Sequence, residues 1–360
     1  MDGVPARGAR VAGRPAGSTL VALRYDDGAL WALDQAQLPW RERELELRSA
    51  ADVVSAIRRL SIRGAPLIGV AAGYGVALEL ARDRDGLDAA CAALVAARPT
   101  AVNLAHAVAR VRRAVLRAAA APGDRRAAAA LDEAGMLHAE EEGASRAIAR
   151  HGAGFLSGRR RILTHCNSGA LAAPGRGTAL AVIAELADRG ELDLVLVSES
   201  RPLLQGARLT VYELRRLGID HALVVDGAAA GLIAGGEVNA VVLGCDRVAA
   251  NGDVANKVGT YSHALAAAAS GIPFVVAGPC TTIDPGCARG AEIVIEERAE
   301  DEVRTVGLWG PEPLELALPG TPCRNPAFDV TPAGLVTALV TERGVASPVT
   351  RESVARLLAG

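Results

Sequence analysis

The sequence of 360 residues is poor in several features, and each shortage excludes a class of protein. Aromatic residues make up only 3%, so the core must be built from Ala, Val and Leu rather than from rings. Basic and acidic residues almost balance, and a formal net charge of −2 provides no global basic field to hold nucleic acid or an anionic membrane. The longest apolar stretches, Gly64–Leu78 and Leu265–Gly278, are interrupted or shorter than the roughly 20 residues that a bilayer requires. We expect neither nucleic acid nor a membrane as partner.

The cysteine pattern and the N-terminus both predict a cytoplasmic protein. The cysteines have no CxxC spacing, which in a chain of this length argues against a zinc site and against a disulfide framework. The six predicted free thiols are Cys91, Cys166, Cys245, Cys280, Cys287 and Cys323. Residues 1–18 carry arginines with no apolar segment after them, so we predict a flexible tail rather than a secretory signal.

Lysine is nearly absent. Lys257 is the single lysine among 39 basic residues, all the others being arginine. A compact ammonium on a flexible stem is not interchangeable with a planar guanidinium. The exception therefore indicates a chemical role for Lys257.

The first half of the chain is predicted to be mostly helical, with a small β element at its start. Alternating apolar residues around Asp27-Gly28 predict a β-hairpin at about 19–35. Helical spacing of apolar residues then predicts helices over 50–60, from the 64–66 break to about 80, over 89–121 and over 131–151, with a loop at 122–124.

After Gly158 the pattern changes to short β-rich runs that alternate with helical stretches. The runs are RRILTHC, LDLVLVSES, HALVVDG, AVVLGCD, PFVVAGP and EIVIEE. Parallel strands need a helical crossover to return to the same edge, so this alternation predicts an α/β fold with a parallel sheet. Several runs end in polar residues, and in such sheets the ligand crevice lies outside the carboxyl ends of the strands. We therefore expect a site at that edge.

The first candidate for chemistry is Cys166, in the run ILTHCNSGAL followed by PGRGTAL. A thiol at a strand-to-helix junction would face helix-end amides that favour its thiolate. The alternative is a buried structural cysteine, which is the usual environment of this residue. The flanking His165 and Asn167 are poor core residues, so both interpretations stay open.

The second candidate is the run VVLGCDRVAANGDVANKVGTYSHAL. An apolar strand is predicted to end in Asp246, and Asn256 and Lys257 are predicted to open the next helix. Amides, an ammonium and a helix start suit a phosphate, which requires donors and positive potential together. The alternative gives Asp246 a capping role or an ion pair with Arg247.

These segments, taken with others, resemble one family. The matching blocks are LDQAQLP, IRGAPLIGVAAGYG, RPTAVNL, ILTHCNSGAL, ESRPLLQGARLT, GCDRVAANGDVANKVGTYSHAL, IPFVVAGPCTTID and NPAFDVTPAGLVTALVTERGV. In this order they are similar to the methylthioribose-1-phosphate isomerase family, which is related to the regulatory subunits of translation initiation factor two-B and to pentose-phosphate isomerases. The resemblance covers nearly the whole chain.

The resemblance implies a helical N-terminal domain with a small β element over 19–150 and a Rossmann-like α/β domain over 151–360, with the active site in the cleft between them. It also implies a homodimer and a sugar-phosphate substrate. The implied catalytic pair is Cys166 and Asp246. The implied substrate-binding residues are Arg63, Gly64, Ala65, Arg98, Gln205, Asn256 and Lys257.

The implied reaction converts 5-methylthioribose 1-phosphate to 5-methylthioribulose 1-phosphate in methionine salvage, without metal or nicotinamide. Asp246 would be the general acid, while Cys166 would either take the C2 proton as thiolate or shape an apolar site for a hydride shift. Three alternatives remain: an isomerase of 5-deoxyribose 1-phosphate, an isomerase of ribose 1,5-bisphosphate, or a non-catalytic regulatory sugar-phosphate-binding homologue. The bisphosphate would need a second cationic pocket near C5, for which Arg176 is the candidate donor.

Overall fold

The computed structural model describes residues 20–98, 101–119, 125–307 and 313–359. The first element along the chain is a three-stranded antiparallel sheet. Its strands are β1 (Leu23–Asp26), β2 (Ala29–Leu33) and β3 (Glu44–Leu47). Asp27 and Gly28 both have positive φ, at 47° and 70°, as a tight hairpin turn requires. The predicted hairpin is confirmed, and β3 is an addition. The predicted tail 1–18 and the predicted loop 122–124 lie outside the described residues.

Five helices follow and enclose one apolar core. They are α1 (Ala50–Arg58), α2 (Ala65–Arg82), α3 (Leu87–Val95), α4 (Val102–Ala119) and α5 (Arg126–Phe155). Helix α2 is buried on nearly all sides because its sequence is Ala, Gly, Val and Leu all round, which is the pattern of a central helix. Gly64 precedes α2, so the segment Arg63–Ala65 lies at the end of the central helix.

The rest of the chain alternates strands and helices. The strands are β4 (Arg161–His165), β5 (Leu194–Ser198), β6 (His221–Val224), β7 (Ala240–Leu243), β8 (Arg247–Ala249), β9 (Val254–Lys257), β10 (Phe274–Ala277), β11 (Ile283–Asp284), β12 (Thr305–Val306), β13 (Leu314–Glu315), β14 (Phe328–Thr331), β15 (Ala338–Thr341) and β16 (Gly344–Ala346). The helices are α6 (Ala179–Asp188), α7 (Val211–Leu217), α8 (Ala229–Ala234), α9 (Thr260–Ala269), α10 (Asp301–Arg304) and α11 (Arg351–Ala359).

The main sheet has seven strands in the order β16-β15-β10-β7-β4-β5-β6, all parallel except β16. Strands β4, β5 and β6 run outward to one side, whereas β7, β10 and β15 run outward to the other. This is the Rossmann order, and the direction reverses between β4 and β7. The predicted α/β fold with a parallel sheet is confirmed.

Successive residues of the central strands point to opposite faces of the sheet and pack in two separate hydrophobic cores. Ile162 of β4 packs with residues of α5, α6 and α7 on one face, whereas Leu163 packs with residues of α8, α9 and α11 on the other. Both faces of the sheet are therefore covered, as buried parallel strands require. The division into domains at residue 150 stays a prediction, and α5 spans that position. Within the described residues, no helix has the length and apolarity to cross a membrane.

Three local predictions are wrong. The helix predicted over 89–121 is two helices, because α3 ends at Val95 and α4 begins at Val102. The run EIVIEE forms no strand of the main sheet, because β15 and β16 occupy the edge beyond β10, and Glu297 makes only an isolated bridge to Pro326. Asn256 and Lys257 do not open a helix, because Val254–Lys257 pairs with β8 and β14 in a second, four-stranded sheet of order β11-β8-β9-β14. Helix α9 begins only after Gly259, whose φ is 106°.

Candidate active site

A pocket of about 800 Å³ opens at the carboxyl ends of β4 and β7, where the strand order reverses. Cys166 directly follows β4, and Asp246 follows β7 after a two-residue connection. The structure brings all the predicted site residues to this pocket: Arg63, Gly64, Ala65, Arg98, Cys166, Gln205, Asp246, Asn256 and Lys257. Their individual roles remain predictions.

Cys166 is held in an unusual backbone conformation. Its φ is +60°, a region that a residue with a side chain rarely adopts unless its surroundings enforce it. Two side chains fix the peptide groups on either side: the N–H of Cys166 donates to Ser200 Oγ at 2.7 Å, and its carbonyl accepts from Thr210 Oγ1 at 2.6 Å. The thiol is thereby positioned by a rigid backbone.

Burial is the main influence on the ionisation of the Cys166 thiol. The next helix along the chain, α6, begins only at Ala179, and the backbone amide that acts on the thiol is that of Asn167, which lowers its pKa. Burial raises the pKa of Cys166 above its usual value, and the nearby Arg63 and Lys257 only partly oppose this shift. Burial therefore favours the S–H form of Cys166 over the thiolate.

Asp246 is a carboxyl group that can hold a proton. Its own N–H donates to Ala255 O at 3.1 Å, which ties the end of β7 to β9. It forms no ion pair with Arg247, because that arginine binds Asp284 through Nε at 3.1 Å. Burial raises the pKa of Asp246, although Lys257 and more distant arginines act in the opposite direction. A carboxyl group that holds its proton in a pocket can donate it to a bound substrate as a general acid.

Lys257 lies at the end of β9 in a closely fitted environment. Its Nζ donates to Ala327 O at 2.9 Å and lies 5.1 Å from the centre of the Phe328 ring. Burial lowers its pKa, and the neighbouring Cys166 and Asp246 oppose that shift. An ammonium has three N–H donors, so those that Ala327 does not use can bind an anion in the pocket.

We expect Lys257→Arg to raise KM at least about tenfold, because a planar fork cannot replace a compact ammonium between a carbonyl and a ring. Steady-state kinetics with 5-methylthioribose 1-phosphate, the substrate that the sequence resemblance implies, measure this change. The reverse exchange Arg176→Lys, at a surface ion pair with Asp188, is the matched control and should leave KM unchanged. An unchanged KM in Lys257→Arg would contradict a specific role for the Lys257 ammonium in binding.

The Arg63–Ala65 segment packs directly against the loop that follows Cys166. Gly64 has a φ of +94°, and a Cβ at this position would collide with the backbone of Ala172. Arg63 reaches the same loop, since Nη1 and Nη2 donate to the side-chain and backbone oxygens of Asn167 at 2.8 and 2.7 Å. The glycine therefore allows the close approach that places the arginine in the pocket.

Two arginines share one carboxylate at the pocket wall. Arg98 Nη2 binds Glu296 Oε2 at 3.2 Å, and Arg298 Nη1 binds Glu296 Oε1 at 2.9 Å. Arg298 was not predicted as a site residue, because it follows the run EIVIEE that sequence reasoning assigned to a strand. Its only signal was its charge, which this arginine-rich chain repeats many times.

Two buried oxygens in the pocket have no hydrogen-bond partner among the described residues: Ser168 Oγ and Gln205 Oε1. Unpaired buried polar atoms are costly, and sugar hydroxyls are suitable partners for them. Asn256 is already oriented, because its Nδ2 donates to Thr260 Oγ1 at 2.9 Å. Ser168 and Gln205 are thus polar groups of the pocket that a ligand can satisfy.

The remaining candidate groups are placed as follows in the described residues. No group of three or more His, Cys, Asp or Glu in this part of the chain is placed to hold a metal ion. The six cysteines are unpaired thiols. The proposed C5 donor Arg176 does not line the pocket, and its guanidinium binds Asp188 at 2.7 Å instead. That expectation is wrong, because the surface ion pair holds the side chain elsewhere.

A Rossmann-type sheet has its switch point where the strand direction reverses, here between β4 and β7. With a thiol, a carboxyl group and several cations in the pocket at that point, it defines an α/β protein with a site for a small anionic ligand. The chain belongs to the Initiation factor 2 subunit family, whose profile matches residues 61–348.

Comparison with individual proteins agrees with this membership. The chain is 48% identical to a methylthioribose-1-phosphate isomerase of Syntrophotalea carbinolica, over 90% of this chain and 95% of that protein. It is 45% identical to a 5-deoxyribose 1-phosphate isomerase of Moorella thermoacetica, over 95% and 98%. The crystal structure of 5-methylthioribose 1-phosphate isomerase from Pyrococcus horikoshii superposes with a TM-score of 0.86 at 36% identity, covering 96% of each chain. These findings confirm the resemblance that the sequence motifs carry.

Proposed function

We propose that this chain is an aldose–ketose isomerase that converts 5-methylthioribose 1-phosphate to 5-methylthioribulose 1-phosphate. One observation carries the proposal: Cys166 and Asp246 follow the two strands of the switch point and line one pocket with Lys257 and Arg63. The names of the relatives support the same reaction. Turnover of the sugar phosphate by the purified protein is the test.

Asp246 serves the first step. The anomeric oxygen of the substrate carries phosphate, so the sugar cannot open spontaneously to an aldehyde. The protonated carboxyl of Asp246 donates its proton to the ring oxygen as the bond between C1 and that oxygen breaks. The electron pair of the broken bond stays on the ring oxygen, and the anomeric oxygen stabilises the cation left at C1.

The second step moves hydrogen from C2 to C1. Because burial favours the protonated form of the Cys166 thiol, we propose a hydride shift: the C2 hydrogen moves to C1 with its bonding pair, and the C2 hydroxyl becomes a protonated carbonyl. The Asp246 carboxylate takes the proton from that carbonyl and regains its starting state. Cys166 supplies a neutral wall that excludes water during the shift.

The C5 substituent is proposed to be apolar. The pocket wall contains Leu60, Leu203 and Phe328, which suit a methylthio group. A methyl group at C5 has the same character, so 5-deoxyribose 1-phosphate is the second candidate substrate, in line with the Moorella relative. Ribose 1,5-bisphosphate is disfavoured, because Arg176 lies outside the pocket and Arg98 is already paired.

We further propose a homodimer and a cytoplasmic location. The edge strand β6 exposes 50% of Leu223, and the adjoining Val225 is 59% exposed, so an apolar sheet edge stands uncovered in the single chain. We propose that a second copy of the chain packs against this edge.

Unpaired thiols at all six cysteines support a reducing compartment.

The dimer has a direct test. Sedimentation equilibrium of the purified protein is expected to give twice the chain mass, and Leu223→Glu should shift the population to monomer because it buries a charge in the contact. Leu265→Glu, at a comparably exposed leucine of α9, is the control and should stay dimeric. A monomeric wild type, or a dimeric Leu223→Glu, contradicts this interface.

A further inference from the structure

Glu213 of α7 is a buried carboxylate that the reaction above does not use. It is only 4% exposed and does not line the pocket. The loop after Cys166 wraps around it: Oε2 accepts from Ala170 N at 2.8 Å, and Oε1 accepts from Leu171 N at 3.3 Å. The loop approaches so closely that a Cβ on Gly169 would overlap the carboxylate. Only glycine fits there.

The same carboxylate orients an amide that faces the pocket. Glu213 Oε1 accepts from Asn167 Nδ2 at 2.8 Å, and on the other side Asn167 Oδ1 accepts from Arg63 Nη1 at 2.8 Å. Both oxygens of Glu213 face N–H donors, Oε1 those of Asn167 and Leu171 and Oε2 that of Ala170, so this side chain accepts hydrogen bonds here, and a guanidinium can only donate them. The asparagine amide has one donor group, Nδ2, and one acceptor, Oδ1. A flipped amide would turn Oδ1 towards the Glu213 oxygens and Nδ2 towards the Arg63 N–H groups, and both hydrogen bonds would be lost. Glu213 therefore determines which way Asn167 points.

A branch of this network reaches the backbone carbonyl of Cys166. Asn167 Nδ2 also donates to Thr210 Oγ1 at 3.3 Å, and Thr210 Oγ1 donates to the carbonyl of Cys166 at 2.6 Å. Within the described part of the chain, Arg63 has no acceptor other than Asn167, so its remaining N–H groups are available to an anion. The Glu213 side chain is thus linked through Asn167 both to the Arg63 guanidinium and to the backbone that carries Cys166.

We propose that Glu213 is a positioning residue, which orients Asn167 so that Arg63 presents its free N–H groups to the anionic sugar phosphate. It acts through Asn167 and does not contact the substrate. The proposal rests on the proposed function, and it adds which residue sets the direction of the arginine.

The first experiment compares Glu213→Gln with wild type. Glutamine keeps the size but has one acceptor and one donor, so it cannot serve Asn167, Ala170 and Leu171 together. We expect KM for 5-methylthioribose 1-phosphate to rise about 10- to 100-fold, with a smaller change in kcat, because an oriented hydrogen bond to a charged group is lost. Glu141→Gln is the matched control. Glu141 is also buried, at 9% exposure, but binds Thr281 outside the pocket wall, and its KM should not change.

A double-mutant cycle separates positioning from general stability. Arg63→Ala alone is expected to raise KM, and adding Glu213→Gln to it should raise KM no further, because both changes remove one interaction. A structural role would instead lower the melting temperature and leave the KM of Glu213→Gln unchanged, which overturns the proposal. Additive effects on KM overturn it too. If Glu213→Gln does not fold, Asn167→Ala breaks the same link from the other end and should give the same rise.

Calorimetric measurement of substrate binding tests the positioning role of Glu213 independently of whether the protein catalyses the isomerisation. If wild type binds 5-methylthioribose 1-phosphate without turning it over, the isomerase function fails, and Kd replaces KM in the same comparison. A 10- to 100-fold weaker Kd in Glu213→Gln then still supports the positioning role. Equal Kd values overturn it. If wild type neither binds nor converts the sugar phosphate, the reaction and the positioning proposal fall together.

Discussion

Asp246→Asn is expected to lower kcat by about 10²- to 10⁴-fold while the substrate affinity changes little, because the amide keeps the shape of the side chain but cannot donate and recover a proton. The structure gives Asp246 the required surroundings: it lies in the switch-point pocket, and burial raises its pKa. Steady-state kinetics measure kcat, and calorimetry with the sugar phosphate measures binding. Near-normal turnover in Asp246→Asn contradicts the assignment.

The pH dependence provides a second readout of the same residue. The reaction begins from the protonated carboxyl, so kcat/KM should fall about tenfold per pH unit above the pKa of Asp246. Because burial raises that pKa, the fall is expected at higher pH than an ordinary aspartate would give. Residual activity of Asp246→Asn should lack this fall. Asp188→Asn, at the surface ion pair with Arg176, should keep the wild-type profile.

Deuterium labelling of the substrate tests the role of Cys166 with the largest expected difference between the two mechanisms. With deuterium at C2 of the substrate, the hydride shift predicts nearly complete transfer of the label to C1 of the product, because no step exchanges it with solvent. Nuclear magnetic resonance of the product locates the label. The raised pKa of the thiol is the reason for this expectation, since a protonated S–H is no base. Solvent hydrogen at C1 would instead show proton abstraction by a thiolate.

Substitution of the thiol completes this test. Cys166→Ala is expected to retain measurable turnover, lowered roughly 10²-fold, which is typical for loss of one positioned group in an active site. The label should still move to C1. Cys323→Ser, at a cysteine that does not line the pocket, should leave kcat unchanged. Wild-type turnover in both Cys166→Ala and Cys166→Ser would reduce Cys166 to a packed structural thiol.

The sequence was sufficient to predict that Cys166 and Asp246 follow apolar strands, because strand ends are local patterns. It was not sufficient to predict that they meet. Their strands, β4 and β7, are separated along the chain by β5 and β6, and only the strand order of the sheet makes them neighbours. The family resemblance supplied that pairing, and the Rossmann order gives its physical reason.

Residues whose role depends on distant packing were missed for a different reason. Glu213 lies in the run VYELRRLG, where a glutamate is normally solvated. It is buried because the loop at 169–171 folds over it. Similarly, Lys257 was recognised from composition but assigned to a helix, since its strand is defined by pairing with β14, a segment far along the chain.

Product formation from 5-methylthioribose 1-phosphate by the purified protein tests the proposed reaction most directly. The assay runs beside 5-deoxyribose 1-phosphate and ribose 1,5-bisphosphate, with the ketose identified by nuclear magnetic resonance. We expect conversion of 5-methylthioribose 1-phosphate with the highest kcat/KM, slower conversion of the deoxy sugar, and little conversion of the bisphosphate. Binding without conversion of any of the three would contradict an isomerase and would indicate a regulatory sugar-phosphate-binding protein.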